Sequence, residues 1–137
     1  ETPGRYEASS ANVVAIAGLN ASLKSLNIDE HKEIVRELTD YLLEALEDIP
    51  SVNLMGAFDA SKTLGIVSFV VEGYESDEVG TILDDEYNIA VRTGYHCAPY
   101  IHDYLGDKPY HGTIRVGLGQ FNTKEDIDAL VSAIKSL

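Results

Sequence analysis

A chain of 137 residues is long enough for one domain that buries about two thirds of its unfolded surface. Its 45% hydrophobic content suits a globular fold, and its longest apolar run, residues 65–71, is far short of the roughly 20 residues needed to span a bilayer as a helix. With 23 acidic against 10 basic residues, the formal charge of -13 would repel a phosphate backbone and argues against nucleic acid as a partner.

The acidity is accounted for by a solvated surface, or in part by a docking face for a basic protein. One cysteine cannot form an internal disulfide and suits a reducing cytoplasm. The opening residues Glu1-Thr2-Pro3-Gly4-Arg5-Tyr6-Glu7 carry no apolar signal-peptide core. They lack an initiator Met and read as the middle of a longer protein.

Residues 1–11 are rich in small and polar types and are expected to form a loop. From Asn12, Ile16, Leu19, Leu23 and Leu26 recur at helical steps. Asp29 is a fair N-cap for a second helix, with Ile34, Leu38, Tyr41, Leu42, Ala45 and Leu46 as its apolar stripe and Pro50 beyond its end. Val52 to Met55 and Thr63 to Val71 read as strands. Ser76 caps a short helix with Asp77 and Glu78 in its first turn, where the helix dipole favours acids. Strands are expected again from Asn88 to Arg92 and from Thr113 to Leu118. Between them lies an irregular connection from Thr93 to Gly112, of a length that tends to be functional. Thr123 and Asp126 make a capping-box start for the last helix, in which Ile127, Leu130, Val131 and Ile134 share a face. The order fits an α+β domain, with helices packed on one face of a small, mostly antiparallel sheet.

The residues that carry chemistry fall in and beside the long connection. Cys97 follows Arg92-Thr93-Gly94-Tyr95-His96. An unperturbed thiol with a pKa near 8.5 is only about 3% thiolate at pH 7, and a neighbouring cation raises that share. Arg92, Arg115 and a protonated His96 are the candidates for that cation. A small buried cysteine serving as a hydrophobe is the competing reading. Arg115, between Ile114 and Val116, offers a guanidinium fork suited to a carboxylate, or to an ordinary salt bridge. His96, Cys97, His102 and His111 lack the C-x-x-C or H-x-x-x-H spacing of a zinc set, so no metal is expected. Ser9 and Ser10 precede a helix start, where hydroxyls and backbone N–H groups can hold a phosphate.

Three segments together resemble the C-terminal third of cysteine desulfurases, nearest to the selenocysteine lyase-like members of the class V aminotransferases. They are Arg5-Tyr6-Glu7-Ala8-Ser9-Ser10-Ala11-Asn12, Arg92-Thr93-Gly94-Tyr95-His96-Cys97-Ala98 and Arg115-Val116-Gly117-Leu118-Gly119-Gln120-Phe121-Asn122-Thr123. The resemblance runs in order from about residue 5 to the end. It implies that residues 12–137 are the small C-terminal domain of a fold-type I pyridoxal phosphate enzyme, with residues 1–11 leading from a large domain. It also implies the reaction, L-cysteine to L-alanine with the sulfur left on the enzyme as a persulfide. By motif match Cys97 is the catalytic nucleophile, Arg115 anchors the substrate carboxylate, and Arg92 and His96 line the substrate site. Ser10 stands where the family has a threonine that reaches the cofactor phosphate. The family's cofactor-bearing lysine lies upstream of the matching segments, and Lys24, Lys32, Lys62, Lys108, Lys124 and Lys135 occupy no such motif.

The expected whole is a cytoplasmic homodimer that passes sulfur to an acceptor protein, and the 137 residues alone are expected to be inactive. Tyr95 departs from the histidine common there, and Ser9-Ser10-Ala11 departs from Gly-Thr-Pro. Two other readings stand beside this one. The first is a class V aminotransferase or lyase acting on another amino acid, with Cys97 incidental. The second is a non-catalytic α+β interaction domain.

Overall fold

The computed structural model describes residues 4–6, 9–56 and 58–137. Of the opening loop expected over residues 1–11, positions 1–3 and 7–8 lie outside the described residues; Gly4–Tyr6 form a 3-10 turn. The elements then follow as α1 (Val13–Ser25), α2 (Ile28–Glu47), β1 (Val52–Met55), β2 (Ile66–Val71), α3 (Ser76–Tyr87), β3 (Arg92–Gly94), α4 (His102–Leu105), β4 (Thr113–Gly117) and α5 (Lys124–Lys135), with a 3-10 turn at Lys108–Tyr110 between α4 and β4. The four strands form one sheet in the order β1-β2-β4-β3, and every pairing is antiparallel. This is the α+β arrangement the sequence pattern implies.

Strand alternation divides the sheet into a dry face and a polar one. Val67, Phe69 and Val71 of β2 and Ile114 and Val116 of β4 join a core with Leu38, Leu42 and Leu46 of α2, Val79 and Leu83 of α3, and Ile127, Leu130 and Ile134 of α5. Phe69, Leu42, Leu46, Leu83 and Ile114 are wholly enclosed. The opposite face carries Ser68, Thr113, Arg115 and Arg92, which the register sets side by side. Packing three helices on one face therefore leaves the face with the arginines free of them.

Several boundaries differ from the sequence expectation for local reasons. The cap of α2 is Asn27, whose side chain accepts from the Glu30 N–H, while Asp29 lies within the first turn. Glu75 and Glu78 form the capping box of α3, and Ser76 instead donates its hydroxyl to the His111 carbonyl. β2 starts only at Ile66, because Thr63 spends its hydroxyl on the Ile66 N–H and Gly65 turns the chain with φ +76. Asn88 and Ile89 close α3, donating to Asp84 and Leu83, with Asn88 in the left-handed region at φ 55, so β3 begins at Arg92 rather than Asn88. The box of Thr123 and Asp126 forms as read, with both reciprocal bonds present.

α1 is helical but buries none of its residues. Val13, Val14, Ile16, Leu19 and Leu23 are all exposed. Among the described residues nothing covers its apolar stripe. No helix is long and apolar enough to cross a membrane among the described residues.

Candidate active site

β3 and β4 pair so that Arg92 faces Arg115, Thr93 faces Ile114 and Gly94 faces Thr113. Arg92 and Arg115 are thus direct cross-strand neighbours on the polar face, with Cβ atoms about 5 Å apart in such a pair. Two like charges in this position repel, and an anion between them relieves the repulsion. Gly112 sets how closely these strands approach. Its φ is +99, and a Cβ there would sit 2.4 Å from the backbone of Gly94. Gly112→Ala should therefore force β3 away from β4 and destabilise the domain by roughly 1–3 kcal/mol. A urea-unfolding midpoint equal to that of the parent would contradict this account.

Immediately after β3 the chain reverses. The Ala98 N–H donates to the Tyr95 carbonyl at 2.8 Å, and the two central residues, His96 and Cys97, have φ of 51 and 61. Two consecutive left-handed residues are what Asn-Gly usually supplies in such turns. For residues with a Cβ the conformation costs roughly 1–2 kcal/mol each. The turn carries its sulfur outward: Cys97 is a free, exposed thiol. The Arg92 guanidinium donates to its Sγ at 3.6 Å. The reading of Cys97 as a buried hydrophobe is overturned by that exposure.

His96 points the other way, inward. Its Nε2 bonds the buried Thr113 hydroxyl at 2.8 Å, and its Nδ1 is buried without a partner among the described residues. Burial, then the nearby Arg115, His102 and Arg92, hold its pKa below the ordinary histidine value, so the neutral ring is favoured. A protonated His96 is thus not the cation beside the thiol; Arg92 is. Because the unfolded chain binds this proton more readily, the contribution to stability is complete above the unfolded pKa of about 6.5. It is lost as pH falls through the lower folded value. An NMR titration of His96 should show a midpoint below that of a free imidazole, and a midpoint at or above it would contradict the burial.

Cys97, Arg92, His96 and Arg115 are brought together along the β3–β4 pair, Cys97 through Arg92 and His96 through Thr113. Ser10 is not brought into this group: it is exposed, ahead of α1, and among the described residues no hydrogen bond ties it to the other four. Lys62 pairs with Asp59, Lys108 with Asp103, and Lys124 lies over the Tyr41 ring, so these lysines are engaged elsewhere. No group of three or more His, Cys, Asp or Glu side chains that could hold a metal occurs among the described residues. His102 is instead buried against Asp107, and His111 faces Glu75.

The residues that sequence reasoning missed are Thr113, which holds His96, and Asp107, which holds His102. A threonine opening a strand and an aspartate in a loop carry no local signature. Only the fold shows their partners.

Comparison with known proteins bears on the family and the fold. The profile of the aminotransferase class-V family matches residues 1–130. A cysteine desulfurase of Salmonella agona is 34% identical over 137 residues, covering 98% of this chain and 32% of the relative. One from Pectobacterium carotovorum is 34% identical over 140 residues, covering all of this chain and 33% of the relative. The chain therefore spans about a third of the length of the curated relatives it matches. Among solved structures, the apo cysteine desulfurase of Thermococcus onnurineus superimposes with a TM-score of 0.84 at 28% identity, over 98% of this chain and 33% of that one. A cysteine desulfurase of Escherichia coli superimposes with a TM-score of 0.76 at 30% identity, over 98% of this chain and 32% of that one. A match that runs from residue 1 to residue 130, on a fold shared with such enzymes, places the chain in the class-V aminotransferase family.

Proposed function

We propose that residues 12–137 are the small domain of a pyridoxal phosphate-dependent cysteine desulfurase, and that residues 1–11 lead into it from a large domain. The observation that carries this reading is the exposed Cys97 sulfur held by Arg92, with Arg115 directly across the strand pair. An accessible thiol beside a paired cationic grip suits an amino acid that presents both a carboxylate and a sulfur.

Arg115 and Arg92 form the anion-binding side, in which a guanidinium fork receives the substrate carboxylate and fixes its orientation. The Arg92 donor at Sγ is a partner for negative charge on the Cys97 sulfur. Cys97, as thiolate, attacks the substrate sulfur; an S–S bond forms as the substrate carbon–sulfur bond breaks, leaving a persulfide on Cys97 and alanine after protonation of the carbon. Neutral His96, fixed by Thr113, lines the site without adding charge.

The residues described do not by themselves build a cofactor site, since no lysine joins the cluster and Ser10 stands apart from it. Pyridoxal phosphate held by a lysine-bearing large domain would supply the electron sink for the carbon that loses sulfur. The bare apolar stripe of α1 is a surface for that domain to cover. The cofactor phosphate would be reached by the Ser10 hydroxyl within a homodimer. A reducing cytoplasm keeps the thiol free, and the persulfide passes to an acceptor protein, with neither nucleic acid nor membrane as partner.

The test is catalysis by the full-length protein. It should release sulfide and alanine from L-cysteine in the presence of reductant, while the isolated 137 residues release neither. Keto-acid-dependent transamination without sulfide release would assign the protein to another amino acid and make Cys97 incidental.

A further inference from the structure

Beneath the Cys97 turn lies a buried pair to which the reaction above gives no role. His102 and Asp107 are 2% and 0% exposed, and His102 Nδ1 meets Asp107 Oδ2 at 2.6 Å. His102 Nε2 meets the Tyr95 carbonyl at 3.1 Å. A carbonyl only accepts, so Nε2 carries a hydrogen and donates to Tyr95, while the hydrogen shared between Nδ1 and Asp107 Oδ2 fixes the orientation of the ring.

The Tyr95 carbonyl is also the acceptor that closes the His96–Cys97 turn by taking the Ala98 N–H. One oxygen therefore joins the strained turn to the buried pair. The ring edge of Tyr95 packs on His102 as well, with centroids 5.0 Å apart and planes at 68°. α4, at four residues, is too short to be stable alone, so its position depends on the contacts His102 makes.

We propose that His102, oriented by Asp107, is a positioning residue that holds the Cys97 turn in its left-handed conformation through the Tyr95 carbonyl. A buried hydrogen-bonded pair in this location is not explained by stability, because apolar side chains of similar volume would fill the space as well. Among the described residues one of the Asp107 oxygens, Oδ1, is even left without a partner. What an apolar filling cannot do is direct a hydrogen at the one carbonyl that fixes where the sulfur points. His102 itself touches neither Sγ nor the arginines in any hydrogen bond among the described residues. The inference rests on Cys97 being the nucleophile.

The experiment uses the full-length protein and two readouts, alkylation of Cys97 by iodoacetamide and steady-state sulfide release from L-cysteine. The double variant His102→Leu/Asp107→Leu leaves neither polar partner buried alone. Loss of sulfur placement should lower kcat roughly ten- to a hundredfold with KM within about twofold, and should change the alkylation rate. His102→Gln, whose amide can still donate to the Tyr95 carbonyl, should recover most of both. Should the double variant fail to fold, the single variants decide. Asp107→Asn keeps the donor by offering its amide to Nδ1 and should alkylate like the parent, whereas His102→Asn, too short to reach the carbonyl, should not. Parent-like alkylation and kcat in the double variant or in His102→Asn overturns the proposal, as does a His102→Gln no better than the apolar replacement. Alkylation needs no substrate. A parent that alkylates normally but releases no sulfide from L-cysteine therefore defeats the nucleophile reading, while the turn clamp is judged by alkylation alone.

Discussion

In the full-length protein, Cys97→Ala should abolish persulfide formation from L-cysteine and lower sulfide release by on the order of 10³-fold or more. The loss follows from position as well as chemistry. The sulfur leaves the sheet on a turn of two left-handed residues, stands in solvent and takes a hydrogen bond from Arg92. No second thiol exists in these 137 residues to substitute for it. Cofactor absorbance should be unchanged, since the cluster around Cys97 contains no lysine and the hydrogen bond to the Cys97 sulfur comes from Arg92. Sulfide release in the variant at the rate of the parent would remove Cys97 from the reaction and leave the arginine pair as a site for some other amino acid.

Arg115→Ala should act on binding. A hydrogen bond to a charged group contributes about 1.5–3 kcal/mol, which corresponds to a rise in KM for L-cysteine of roughly ten- to a hundredfold. Arg115→Lys should recover only part of this, because a single ammonium cannot reproduce the planar fork. The thermal midpoint should behave in the opposite sense. Arg92 lies directly across from Arg115, and a like-charged pair in that register costs about 0.2–1 kcal/mol. Removing one member should therefore leave the domain at least as stable while turnover at low substrate collapses. An Arg115→Ala variant that unfolds earlier but binds L-cysteine normally would make the residue a structural support. The two substitutions together separate a sulfur-directed effect from a carboxylate-directed one.

Much of this architecture is legible in the chain because its signals are local. The stripe of Leu38, Leu42 and Leu46, the β-branched run ending at Val71, and the Thr123–Asp126 box each depend on neighbours within a turn or a strand. The boundaries that shifted did so where a second local interaction competed. Asn88 can begin a strand or close a helix, and its left-handed conformation closes α3. Thr63 can extend a strand or bond forward to Ile66, and it bonds forward. The helical pattern of α1 is equally plain in the sequence, yet its apolar residues remain exposed because periodicity specifies a face without specifying what meets it.

The identity of the reactive groups could be read directly from residues 90–98 and 112–116, since a thiol and guanidinium groups have the same chemistry wherever they are placed. Their arrangement could not. That Arg92 opposes Arg115 follows from an antiparallel register between strands about twenty residues apart, and the close approach that permits it depends on Gly112. That His96 favours its neutral form follows from its burial beside Thr113 and then from the cationic groups near it, an enclosure that exists only in the folded sheet. His102 shows the same division most clearly. As a letter in a histidine-rich loop it had only a metal-ligand reading to weigh, which its spacing argued against, whereas in the fold it is a buried donor aimed at Tyr95. Residue type sets which reactions are open to a side chain; burial and hydrogen-bond geometry, which exist only once distant segments pack, select among them.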